Sequence, residues 1–81
     1  MRYPLVIVEW DDAETFIGWE ELPKELHVAR VVTVGFLAME SEKHILLIGS
    51  YEPDGKETND RMQIPKGMII SRREINADIA A

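Results

Sequence analysis

Apolar residues along this chain gather into short runs rich in β-branched side chains, and glycine, proline or charged residues separate them. That spacing predicts strands rather than helices. "YPLVIVEW" (3–10) reads as a first strand with a proline at its entrance, where a strand tolerates one. "LHVARVVTVGFLAM" (26–39) reads as a long second strand, and Gly35 inside it marks a bend or bulge. "HILLIGSYE" (44–52), 61–65 and 68–73 supply strands three to five.

The connections are polar. "DDAETFIGWEELPKE" (11–25) is broken by Gly18 and Pro23, so it reads as a loop in which only "WEEL" could make a helical turn. Phe16 and Trp19 are its expected anchors onto the barrel. "ESEK" (40–43) is a tight turn, and "PDGKETND" (53–60) opens in the order favoured by a type I turn. "EINADIAA" (74–81) reads as a tail, with 76–81 beyond a single domain of residues 1–75. Five strands with a bent second one predict an all-β, SH3-like antiparallel barrel with little helix.

Pairing across "ESEK" raises the question of what covers this barrel. With Met39 opposite His44, Leu37 faces Leu46 and Gly35 faces Ile48, while Ala38, Phe36 and Val34 meet Ile45, Leu47 and Gly49 on the other side. Both faces are then apolar, yet a small barrel has one interior. The second face needs a cover: the long loop, another subunit, or both.

Composition sharpens that expectation. A domain of 81 residues buries only about 60% of its unfolded surface and is marginal alone. Disulfides and cysteine-based zinc sites are excluded because there is no cysteine. His27 and His44 lie too far apart for a shared metal, so assembly is the expected reinforcement. No run approaches the roughly 18 apolar residues of a membrane span. The N-terminus lacks the pattern of a signal peptide, which makes the cytoplasm the expected compartment.

The net charge of −6 argues against general nucleic-acid binding, which depends on neutralising phosphates. The charge is uneven: residues 9–25 hold seven carboxylates against Lys24, whereas residues 61–73 hold Arg61, Lys66, Arg72 and Arg73 and no acid. Glu9, Asp11 and Asp12 read as loop solvation or capping rather than a cation site. No nucleophile with its base, phosphate loop or cofactor fingerprint is present. The sequence therefore predicts a protein that is not an enzyme and needs no cofactor or metal.

"GFLAMESEKHILL" (35–47) and "IPKGMII" (64–70) resemble the two-part signature of the Sm-like small β-barrels, which includes the bacterial RNA chaperones. Gly35 and Leu37 stand at the signature positions, and Lys66-Gly67 stand at the basic corner. "EWDDA" (9–13), Gly18-Trp19 and the Pro-Lys corner look similar to small phage-encoded Sm-like proteins, whose compartment would be the host cytoplasm. Ser41 and His44 replace the aspartate and asparagine of the family's turn, and a strand with an acidic loop replaces its N-terminal helix.

The resemblance implies a homo-oligomeric ring of five to seven subunits that binds single-stranded RNA or another polyanion at its pore, through Lys66, Gly67 and His44. It implies subunit contacts between the fourth and fifth strands through Met62, Ile64, Met68, Ile69 and Ile70. The charge pattern keeps a second reading open: a structural ring presenting acidic loops to a protein partner.

Overall fold

The computed structural model describes residues 2–75; the expected tail at 76–81 lies outside them. Strands make up 54% and helix 4% of the described residues, which settles the β class. The elements are β1 (Leu5–Asp12), β2 (Ala29–Glu40), β3 (His44–Ile48), β4 (Ser50–Tyr51), β5 (Thr58–Asn59), β6 (Met62–Pro65) and β7 (Ile69–Ile75), with a 3-10 turn at Lys66–Met68. Five strands form one antiparallel sheet in the order β6-β3-β2-β1-β7, and β4 pairs with β5 in a small second sheet.

The long β2 organises the sheet. Residues 29–36 of it pair with β1, and its later part, from Phe36 to Glu40, pairs with β3. Val6, Val8 and Trp10 of β1 are buried in one cluster with Ile45, Leu47 and Ile64 of β3 and β6. In a flat sheet β1 and β6 would lie about 14 Å apart at ordinary strand spacing, so the sheet is strongly curled around this core. Trp10 buries its ring and donates Nε1–H to Thr33 Oγ1 at 2.9 Å, which satisfies its one polar atom.

Two glycines permit the close approaches. A Cβ on Gly35 would stand 3.2 Å from the Ile48 carbonyl oxygen and 3.3 Å from Leu47 Cβ, so a side chain there would push β3 and β2 apart by a few tenths of an ångström. A Cβ on Gly49 would meet Asp60 Cβ at 3.0 Å, and the Gly49 N–H donates to the Asn59 carbonyl at 3.0 Å. The expected third strand therefore ends at Ile48 and resumes as β4.

The structure corrects several expectations. The sheet curls but does not close: β6 and β7 share no ladder, because the 3-10 turn carries the chain off β6 and onto β1. The pairing of β2 with β3 is displaced from the expected register: Glu40 faces Ile45, Met39 faces Leu46 and Leu37 faces Leu47, with a bulge between Leu37 and Met39. The cause is the turn. Ser41 donates its N–H to the His44 carbonyl at 2.9 Å, and Ser41 Oγ accepts from the His44 N–H, so only Glu42 and Lys43 remain as loop. The second strand starts at Ala29 rather than at 26, "WEEL" forms no helix, part of the expected 53–60 turn pairs as β5, and Glu74 and Ile75 belong to β7. The Pro-Asp-Gly turn holds, with the Gly55 N–H donating to the Glu52 carbonyl at 2.7 Å.

The largest departure is the loop after β1. Residues 13–28 are exposed throughout, and Phe16 and Trp19 are 72% and 103% accessible, so neither anchors the loop to the sheet. The core cluster is completed without them by Val6, Val8, Trp10, Ile45, Leu47 and Ile64. The chain extends 53 Å along one axis, with a radius of gyration of 15.9 Å against about 12 Å for a compact chain of this length.

Candidate functional site

The turn after β2 and the corner after β6 meet at one end of the sheet. His44 pairs with Pro65, and the Lys66 N–H donates to the Lys43 carbonyl at 2.7 Å. The structure thus brings His44 and the Lys66-Gly67 corner together although they are far apart in sequence. Pro65 has no N–H to leave unpaired at the strand end, and open space surrounds Gly67.

The Lys66 ammonium does not stand free. Its Nζ lies 2.7 Å from Glu40 Oε2, and the Arg72 guanidinium donates to both Glu40 oxygens at 2.9 and 3.1 Å. The hydrogen bonds from Arg72 and then Lys66 lower the Glu40 carboxyl from its ordinary 4.5 to about 2. This half-exposed cluster ties the end of β2 to the 3-10 turn and to β7, where no strand pairing does so. One carboxylate against two cations leaves the corner with a net positive charge.

Glu40 was hidden from sequence reading, which placed it in the polar turn. Its partners lie 26 and 32 positions away, and only the register shows that they meet. Arg72 and Arg73 take opposite faces of β7: Arg72 lies in the row of Val8, and Arg73 in the row of Ile7.

His44 lies on the outer side of the corner, in a shallow groove of about 190 Å³ lined by Met39, Glu40, Ser41, His44, Ile45, Leu46 and Gln63. The groove offers Met39 and Leu46 as apolar wall, with hydroxyl, imidazole and amide groups at its rim. Among the described residues no cluster of histidines and carboxylates has the makings of a metal site.

The residues expected at subunit contacts divide into two groups. Ile64 is fully buried in the chain's own core and Ile69 packs against it, whereas Met62, Met68 and Ile70 are exposed on the two outermost strands and the corner between them. A second charged cluster joins Arg30 to Asp11 at 2.6 Å and to Glu9 at 3.2 Å. Its hydrogen bonds to Asp11, then Glu9, raise the arginine pKa further above its usual value. This cluster fixes the acidic pair at the end of β1 as structural partners of β2. No family model, curated protein or solved structure matches this chain.

Proposed function

We propose that this chain is a self-assembling β module of Sm-like type, in which β6 of one copy pairs with β7 of the next to form a closed ring that presents its acidic loops to a protein partner. The observation that carries this reading is the strand order β6-β3-β2-β1-β7. It leaves one edge open on each of the two outermost strands, β6 and β7, the pair expected to join subunits. Open edges invite pairing with another chain unless they are blunted by charge or cover. β6, "MQIP", carries no charge at all, and Met62, Met68 and Ile70 stand exposed beside the two edges. Pairing between copies would satisfy both edges and continue the curl.

A second reading, single-stranded RNA or another polyanion at the corner, is favoured by the convergence of Lys43, His44, Lys66 and Arg72 on one end of the sheet. Each subunit of a ring would bring one such corner to the same opening. The Glu40 carboxylate competes with any phosphate for Lys66 and Arg72, and the chain's net charge of −6 opposes it. That ranks the polyanion reading second.

One pair of measurements separates the two. The Ile70→Asp variant should lower the native mass, because Ile70 lies on the β7 edge and outside the chain's own core. Binding of a short single-stranded oligonucleotide, followed by anisotropy across salt, decides between partners. Tight binding that falls steeply with salt favours the polyanion reading. No binding at low salt leaves the protein-interaction ring.

A further inference from the structure

We infer that the exposed arm of residues 13–28 is a docking element whose seat is the outer face of β1, β2 and β7 on a second copy of this chain. The inference rests on the self-assembly reading only in requiring more than one copy; the edges proposed to pair are not part of it.

The arm carries Phe16, Ile17, Trp19, Leu22 and Leu26, all large, apolar and nearly or fully exposed. The aromatic pair alone would remove about 300–500 Å² from water if buried. Its root is held together: Ala13 donates its N–H to Asp12 Oδ1 at 2.8 Å, and His27 Nε2 lies 3.5 Å from Glu14 Oε2 across the base. Beyond that neck the side chains have no seat on their own chain. Half of such an arm, fully extended, reaches roughly 25 Å, enough to cross to a neighbour.

The seat is built by register. Opposed residues share a face, so Val34, Ile7 and Arg73 form one row across β2, β1 and β7, and Val32, Glu9 and Ser71 form the next. Val32 and Val34 are 63% and 56% exposed. The face is covered at the Phe36 end, where Phe36 and Tyr3 meet the Tyr51 ring edge-on at 5.0 and 4.8 Å. Toward Asp11 the Arg30 side chain reaches across the face to Asp11 and Glu9, which leaves the exposed strip around Val32 and Val34 between the two ends.

Charge and area fit the same occupant. The arm holds Glu14, Glu20, Glu21 and Glu25 against Lys24 alone. The face holds Glu9 and Asp11 against Arg30 and Arg73: Arg30 is taken up by the two carboxylates, and Arg73, exposed beside the apolar strip, is the one that makes no ion pair among the described residues. The chain exposes 6780 Å², whereas a compact monomer of its 9.3 kDa exposes about 5,000 Å². The difference, roughly 1,800 Å² on one chain, is more than the ~800 Å² that each partner contributes to a standard interface between proteins.

The absence of cysteine makes cross-linking a clean test. Glu20→Cys places a thiol on the arm without removing an anchor, and Ser71→Cys places one on the outer face. Mixed and oxidised, these two variants should form a heterodisulfide at least tenfold faster than Glu20→Cys does with Asp54→Cys, a control at a distant turn. Phe16→Ser with Trp19→Ser should abolish that preference while leaving the unfolding temperature within a few degrees of wild type. The inference is overturned by a heterodisulfide no faster than the control. It is overturned equally if the Glu20→Cys/Ser71→Cys double variant closes within single chains at high dilution, because the arm would then serve its own sheet. Loss of assembly in Ile70→Asp with the preference intact would leave this inference standing apart from edge pairing. A lost preference with assembly intact would leave edge pairing standing without it.

Discussion

The sheet and the arm use the same kinds of side chain in opposite ways. Val8, Ile45 and Ile64 disappear into the concave face, while Ile17, Trp19 and Leu22 stand in solvent a few residues beyond β1. The difference is periodicity. Alternation in β1 gives Val6, Val8 and Trp10 one common face, and backbone pairing holds that face against β3 and β6. Between residues 13 and 28 Gly18 and Pro23 interrupt the apolar residues, and no strand or helix forms there to gather them onto one side. Burial within the chain follows regular strand pairing, and the apolar residues outside it stand exposed.

Truncations in the two regions should therefore differ most. Ile64→Ala removes a fully buried side chain and should cost about 2–5 kcal/mol, a large share of what a domain this small possesses. Chemical denaturation would then show a chain mostly unfolded at 37 °C. An Ile64→Ala midpoint close to wild type would erase the contrast with the arm.

A smaller loss belongs to the crossing of β2 and β3. Gly35→Ala forces a methyl against the Ile48 carbonyl oxygen, 3.2 Å away, and should cost roughly 1–3 kcal/mol as overpacking does. Denaturation again measures it, and a neutral result would mean that the two strands separate more easily than their spacing suggests.

The Glu40 cluster should show itself through pH. Its carboxyl sits at about 2 in the fold against an ordinary 4.5, so the stabilisation is present above pH 4.5 and is lost as the pH falls through 2. Glu40→Gln should flatten that part of the stability profile and leave pH 7 to 9 unchanged in shape. Lys66→Ala should weaken the same acid dependence less than Arg72→Ala does, since Arg72 supplies two of the bonds to Glu40 and Lys66 one.

The arm should give the smallest effect on folding. Trp19→Ser should move the monomer's stability by no more than about 0.5 kcal/mol, as for surface substitutions in general. Its effect should appear in the mass of the assembly instead.

Much of the sheet was legible in the sequence because alternation and turn chemistry act over a few residues. "YPLVIVEW", the bend at Gly35, the Pro-Asp-Gly turn and the Pro-Lys-Gly corner each carry a local cause. The register of β2 on β3 was not legible, because a single serine, Ser41, shortens the turn through its backbone and hydroxyl, and a bulge near Ala38 absorbs the shift. The Glu40–Lys66–Arg72 cluster was invisible for a related reason: its members meet only through the curl of the sheet. The arm was misjudged because its aromatic content suggested anchors, whereas the core cluster is assembled from β1, β3 and β6 without them.

The claim that this fold is completed by copies of itself is tested most directly by the native mass in solution at tens of micromolar protein. Assembly predicts a multiple of 9.3 kDa, falling in Ile70→Asp. A wild-type protein that runs as a 9.3 kDa monomer at that concentration would contradict it.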